Sequence, residues 1–196
     1  MNMKLVVEKL PDLSAVYIRQ LRIQLSAEEV TAIKTPFLRE SATDSELIQF
    51  FQQSIQANES HADTLRKMLQ PSTDGSGPLK CRVAYALFDE AEDLVEAAGH
   101  PSVRDAVMVA AAQRIKHFQI ANYGALRQFA LDLGHEQEIQ IFEDILRVEG
   151  HLTRQLSGIA SRVNPMAVKT DQQPQIHNFP GGPVNTSEVH VKKLIN

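Results

Sequence analysis

Cysteine is nearly absent: Cys81 is the only one in 196 residues. That excludes an intrachain disulfide and any metal site assembled from several thiolates of one chain. No apolar run approaches the roughly 18 residues that a membrane-spanning helix needs, so no membrane is expected as a partner. The first ten residues hold too short an apolar stretch for a secretory signal and lack a small-residue cleavage site, which makes a cytoplasmic location the expectation. Positive charge is scarce as well. Lys and Arg total 20 against 24 Asp and Glu, a net charge of -4 with no dense basic block, so nucleic acid is not the expected partner. Catalytic signatures are missing in turn. There is no Gly-x-Ser-x-Gly elbow, no glycine loop followed by Lys-Ser/Thr, and no nucleophile beside an obvious base, so a hydrolase or transferase has little support.

What the chain does have is helical periodicity, at a length that suits one domain with a proper core. A helix is predicted from about Pro11 to Arg39, with Ile18, Leu21, Leu25 and Ala32 on one face and Pro36 kinking rather than ending it. The Thr43-Asp44-Ser45-Glu46 stretch opens a second long helix that carries Phe51, Ile55, Ala62 and Leu65 to about Gln70. Residues 71–78, with two Gly and two Pro, read as a loop dividing the chain into two helical pairs. A shorter helix follows from about Lys80 to Ala98, with Val83, Leu87 and Leu94 expected inward and its acids mostly outward. Pro101 opens a helix closed by Gly134, and a last helix runs from about His135 to Ser161. The expected architecture is all-α, a four-helix bundle with an extra short helix between its hairpins. Residues 1–10 form an N-terminal arm, 11–162 the bundle and 163–196 an extended tail, whose segment 187–194 alternates as a strand that would pair with residues 4–10.

The apolar stripe of the fourth helix is interrupted by Gln119 and Asn122. Buried amides cost free energy unless they are hydrogen-bonded, so polar groups should face them. Gln119 lies roughly 22 Å before the Gly134 turn and Glu149 roughly 22 Å after it, at about 1.5 Å per residue. Glu28 and Glu59 are level in the same way about the first turn, and Asp63 follows Glu59 on its face. Matched polar groups at one height are how bundles hold dinuclear metal centres. The pattern Glu59-Ser60-His61 recurs as Glu149-Gly150-His151, which suggests a duplicated hairpin. His61 and His151 are expected at solvent or an interface, because residues two apart on a helix diverge. Tyr123, four residues after Gln119, either reaches the polar layer or is core with its hydroxyl at an edge.

The segment Ala106 to Gly134 with Tyr123-Gly124-Ala125-Leu126-Arg127, the helix Glu136 to Ala160, and the earlier Leu25-Ser26-Ala27-Glu28-Glu29 with Thr35-Pro36 resemble the YciE/YciF-like family of ferritin-like proteins. The resemblance covers about residues 14–162. It implies a ferritin-like bundle, usually homodimeric, induced under stress in bacteria, with a dinuclear metal centre. The chain departs from the family at the centre itself. Where such sequences read Glu-His-Tyr-Glu, this one has Lys116-His117-Phe118-Gln119, a later acid falls on Thr153, and no Glu-x-x-His occurs. Two readings follow. In one, Glu28 (or Glu29), Glu59, Asp63, Gln119 and Glu149 hold one or two Fe or Mn ions that support redox or peroxide chemistry. In the other the centre has decayed, Gln119 and Asn122 donate to Glu59 and Glu149, and the protein is a non-catalytic helical scaffold or dimer.

Overall fold

The computed structural model describes residues 9–69 and 79–168. Five helices follow one another: α1 (Leu13–Ser41), α2 (Ser45–Leu69), α3 (Arg82–Ala97), α4 (Pro101–Leu133) and α5 (Glu136–Val168). The closest packing is within the pairs α1/α2 and α4/α5, and α3 lies against α4 and α1. This is the expected four-helix bundle with an added short helix. The expected strand pairing and the 71–78 loop lie outside the described residues.

Local chemistry explains the helix ends. Asp12 caps α1 by accepting from the Ala15 amide at 2.8 Å, and Asp44 accepts from the amides of Glu46 and Leu47 at the start of α2. Pro101 occupies the first turn of α4, where its missing N–H costs nothing. Gly134 ends α4 at φ 75°, a left-handed conformation that other residues adopt at a cost. Between α1 and α2 the chain is tied down from afar. The buried Asp105 of α4 accepts from the Thr43 amide (2.9 Å), the Thr43 hydroxyl (2.6 Å) and the Asp44 amide (3.0 Å). Asp105→Ala is therefore expected to destabilise the protein by about 2 kcal/mol, as a lower urea midpoint with unchanged slope.

Two expectations about the helices are corrected. Helix α5 does not stop near Ser161 but continues through Pro165 to Val168. Proline forfeits one backbone bond there, in a last turn whose carbonyls have few partners anyway, while Val163 extends the buried stripe of Leu152, Leu156 and Ile159. In α3 the inward face is displaced. Ala84, Phe88, Ala91 and Val95 are buried, whereas Val83 and Leu94 are exposed. Cys81, buried next to this helix, continues the same three-and-four spacing, and the large Phe88 decides which face goes in. Pro36, as anticipated, lies within α1, which runs on to Ser41.

The core has two apolar halves. One contains Leu38, Phe50, Phe51, Phe88, Met108 and Leu156, at the end where α3 packs. The other contains Tyr17, Leu21, Leu65, Tyr123, Leu126 and Phe142, near the Gly134 turn. Between them lies a band of buried polar side chains.

Candidate functional site, the central polar layer

Every long helix contributes to this band. Helix α1 supplies Gln24 and Glu28, α2 supplies Asn58 and His61, α4 supplies Lys116, Gln119 and Tyr123, and α5 supplies Glu149, all of them buried. The Glu28 carboxylate is the hub on one side. Its Oε1 accepts from Gln24 Nε2 (2.8 Å) and the Tyr123 hydroxyl (2.8 Å), and its Oε2 accepts from Gln119 Nε2 (3.0 Å). Gln119 Nε2 also donates to Asn58 Oδ1 at 3.0 Å. Lys116 Nζ is the hub on the other side, donating to Asn58 Oδ1 at 3.2 Å and Glu149 Oε1 at 3.1 Å. Asn122, half-buried at the edge, donates to Gln24 Oε1 at 2.9 Å.

Burial dominates the electrostatics. It pushes the Glu28 carboxyl up to about 7, against the lowering pull of Lys116 and with the Glu149 charge adding to the rise. The Glu149 carboxyl is raised too, by burial, and is held down by its ion pair and hydrogen bond with Lys116. His61 is pulled down to about 4, first by burial and then by the neighbouring Lys116 charge, so its ring is neutral near pH 7. The ring stands edge-on to Tyr123, with Nδ1 3.6 Å from Glu149 Oε1. Three buried atoms of the layer have no hydrogen-bond partner: His61 Nδ1, Gln119 Oε1 and Glu149 Oε2.

Glu28, Gln119 and Glu149 are brought together as the helical spacing predicts, and Glu28 rather than Glu29 faces inward. Glu29 instead pairs with Arg66 at 2.8 Å on the outside. Glu59 and Asp63 are not part of the layer. Both are exposed, and Asp63 also pairs with Arg66. The residue that meets Gln119 from α2 is Asn58, one position from Glu59. That one-residue rotation also turns His61 inward, at i+3 from Asn58, while His151 stays exposed. The repeated Glu-x-His pattern therefore has no common geometry, since its His is buried in α2 and its Glu in α5. Tyr123 reaches the layer, and Gln119 and Asn122 donate to Glu28, Asn58 and Gln24 rather than to Glu59 and Glu149.

A dinuclear carboxylate centre in such a bundle uses a Glu from each of two helices and a Glu-x-x-His from each of the others. At the corresponding places this chain has Glu28, Asn58 with His61, Gln119, and Glu149 with Leu152. Two carboxylates remain, and one of them is bound to an internal ammonium. Two divalent ions bring four positive charges, so the residues present do not fit such a pair. Among the described residues no cluster of three or more His, Cys, Asp or Glu is placed to hold a metal ion, and no helix is long and apolar enough to cross a membrane.

Known proteins share this architecture. A family model described as a domain of unknown function, DUF892, matches residues 12–168. Protein YciF of Escherichia coli (strain K12) is 26% identical over 169 residues, which is 85% of this chain and 98% of that protein. The crystal structure of the E. coli stress protein YciF aligns with a TM-score of 0.74 at 24% identity, covering 80% of this chain and 99% of that one. YcfI from Rhodopseudomonas palustris aligns with a TM-score of 0.70 at 23% identity, covering 80% and 98%. At these identities the two structures bear on the fold alone.

Proposed function

The chain belongs to the DUF892 family, and from that premise we propose that it is a non-catalytic helical-bundle scaffold, working as a homodimer in the cytoplasm under stress. The name of its relative YciF, a stress protein, motivates the stress association, and the family resemblance motivates the dimer. One observation carries the scaffold reading. The groups that chemistry would need are sealed inside and committed to one another, with Glu28, Asn58, Gln119 and Glu149 each 0% exposed. Two grooves on the surface of the described residues lie elsewhere. One runs between α1 and α2 past Glu29, Ile33, Glu59 and Asp63, and another between α2 and α5 past Gln53 and Gln155. Neither is lined by a layer residue. A buried polar band whose hydrogen bonds run from helix to helix joins helices, and neither groove leads a substrate to it.

Elemental analysis tests the proposal. The natural protein, purified without chelator or affinity tag, is loaded anaerobically with Fe(II) or Mn(II) and desalted. The expected result is far less than one ion per chain. Retention of one or two ions per chain, lost in Glu149→Ala, overturns the scaffold reading in favour of an Fe or Mn protein with redox or peroxide chemistry.

A further inference from the structure

We propose that the central layer is a cation site that the chain fills with its own cation, the Lys116 ammonium. The inference rests on the metal-independent reading above and deepens it by naming what occupies the place of a metal.

The layer has the composition of a cation site. Oxygens and a ring nitrogen from three helices, Asn58 Oδ1 and His61 Nδ1 of α2, Gln119 Oε1 of α4, and both carboxylate oxygens of Glu149 on α5, lie in one buried band. Three of these five atoms have no hydrogen-bond partner, and two of them, Gln119 Oε1 and Glu149 Oε2, can only accept. A surplus of buried acceptors is costly unless positive charge is nearby. Lys116 supplies that charge. Its Nζ sits between Asn58 Oδ1 and Glu149 Oε1 at 3.2 and 3.1 Å, joining the neighbouring helices α2 and α5. Among the described residues, no other lysine and no arginine is buried in the layer.

The position of the lysine suits this task. Lys116 precedes Gln119 by one turn, so both point into the same layer. With Thr31, Thr35, Ser54 and Ile115, Lys116 lines a cavity with room for about one water molecule. The side chain is buried, and its charged end meets the acceptors. An ammonium brings one positive charge, three donors and no redox chemistry. It also needs no supply of metal.

The test is chemical rescue. Lys116→Ala removes three methylene carbons and the ammonium, which together have the shape of propylammonium. The melting temperature of Lys116→Ala is followed as propylammonium chloride is added, with choline chloride at equal ionic strength and 1-propanol as controls, and separately with Mn(II). The expected result is a saturable rise of several degrees with propylammonium or Mn(II) that choline, 1-propanol and the natural protein do not show. A response no greater than that to choline overturns the proposal. Should Lys116→Ala not accumulate as folded protein, Lys116→Met and Lys116→Met/Glu149→Gln replace it. If the charge is what the layer requires, Lys116→Met has a lower urea midpoint than the natural protein and the second change restores part of it. If Lys116→Met matches the natural protein, the lysine is only filler and the proposal fails. Metal retained by the natural protein would instead sink the scaffold reading, whatever propylammonium does.

Discussion

Glu149→Ala is expected to cost about 3–5 kcal/mol, among the largest effects of any single substitution in the chain. The carboxylate is fully buried and, among the described residues, is the one acid in direct ion-pair contact with the Lys116 ammonium. Without it the ammonium keeps one neutral acceptor, Asn58 Oδ1, in a band closed to water. Most of the loss is the desolvated charge left behind rather than the bond removed. For that reason Lys116→Met/Glu149→Leu, which removes both charges and keeps much of the volume, should be far more stable than Glu149→Ala. Urea unfolding of the three proteins measures this. A Glu149→Ala loss below about 1 kcal/mol would mean that the pair resembles an exposed surface bridge, contrary to its burial.

A second large effect is the dependence of stability on pH. The folded-state value of Glu28, about 7, lies above its ordinary 4.5. The native protein therefore holds this proton more tightly than the unfolded chain, so stability is lost as pH rises from about 4.5 through about 7. His61 acts with the opposite sign. Its folded value of about 4 lies below 6.5, so its contribution is complete above 6.5 and is lost as pH falls toward 4. The two slopes oppose one another between about 4.5 and 6.5, which flattens the profile of the natural protein. Glu28→Gln mimics the protonated acid permanently and removes only the falling slope. Between pH 5 and pH 8 the stability of Glu28→Gln, measured relative to the natural protein, should rise by roughly 2–3 kcal/mol. Parallel curves for the two proteins would show that Glu28 holds no proton in this range.

Helix number, order and the level of the polar band were legible because they rest on arithmetic that sequence supplies. Three- and four-residue spacing selects a face, and 1.5 Å per residue places Gln119 opposite Glu149 and Glu28. What went astray is rotation about the helix axis. Asn58 and Glu59 are both polar and stand about 100° apart, so the pattern around them does not say which faces in. Choosing the acid put Glu59 and Asp63 in the layer and His61 outside it. The i+3 spacing of Asn58 and His61, with Ser54 and Leu65 on the same face, was the available signal. Lys116 was marked only as a departure from the family at the centre, not as a member of the layer, for a different reason. Lysine reads as solvent-facing in any hydropathy pattern, and only an excess of buried acceptors across three helices draws it inward. No single helix contains that information.

The bonds that cross between the two hairpins have a consequence for how they meet. Lys116 and Gln119 to Asn58, Gln119 and Tyr123 to Glu28, and Asn122 to Gln24 all join α4 to the α1/α2 pair. Apolar side chains above and below this band are interchangeable enough that sliding one hairpin by a helical turn, about 5.4 Å, would still bury grease against grease. The band does not tolerate such a slide. A shift of one turn would part Lys116 and Gln119 from Asn58 and leave at most one of Gln119 and Tyr123 opposite Glu28. Nearly equivalent alignments are thus made unequal, and the bundle locks at one register as a key seats at one depth.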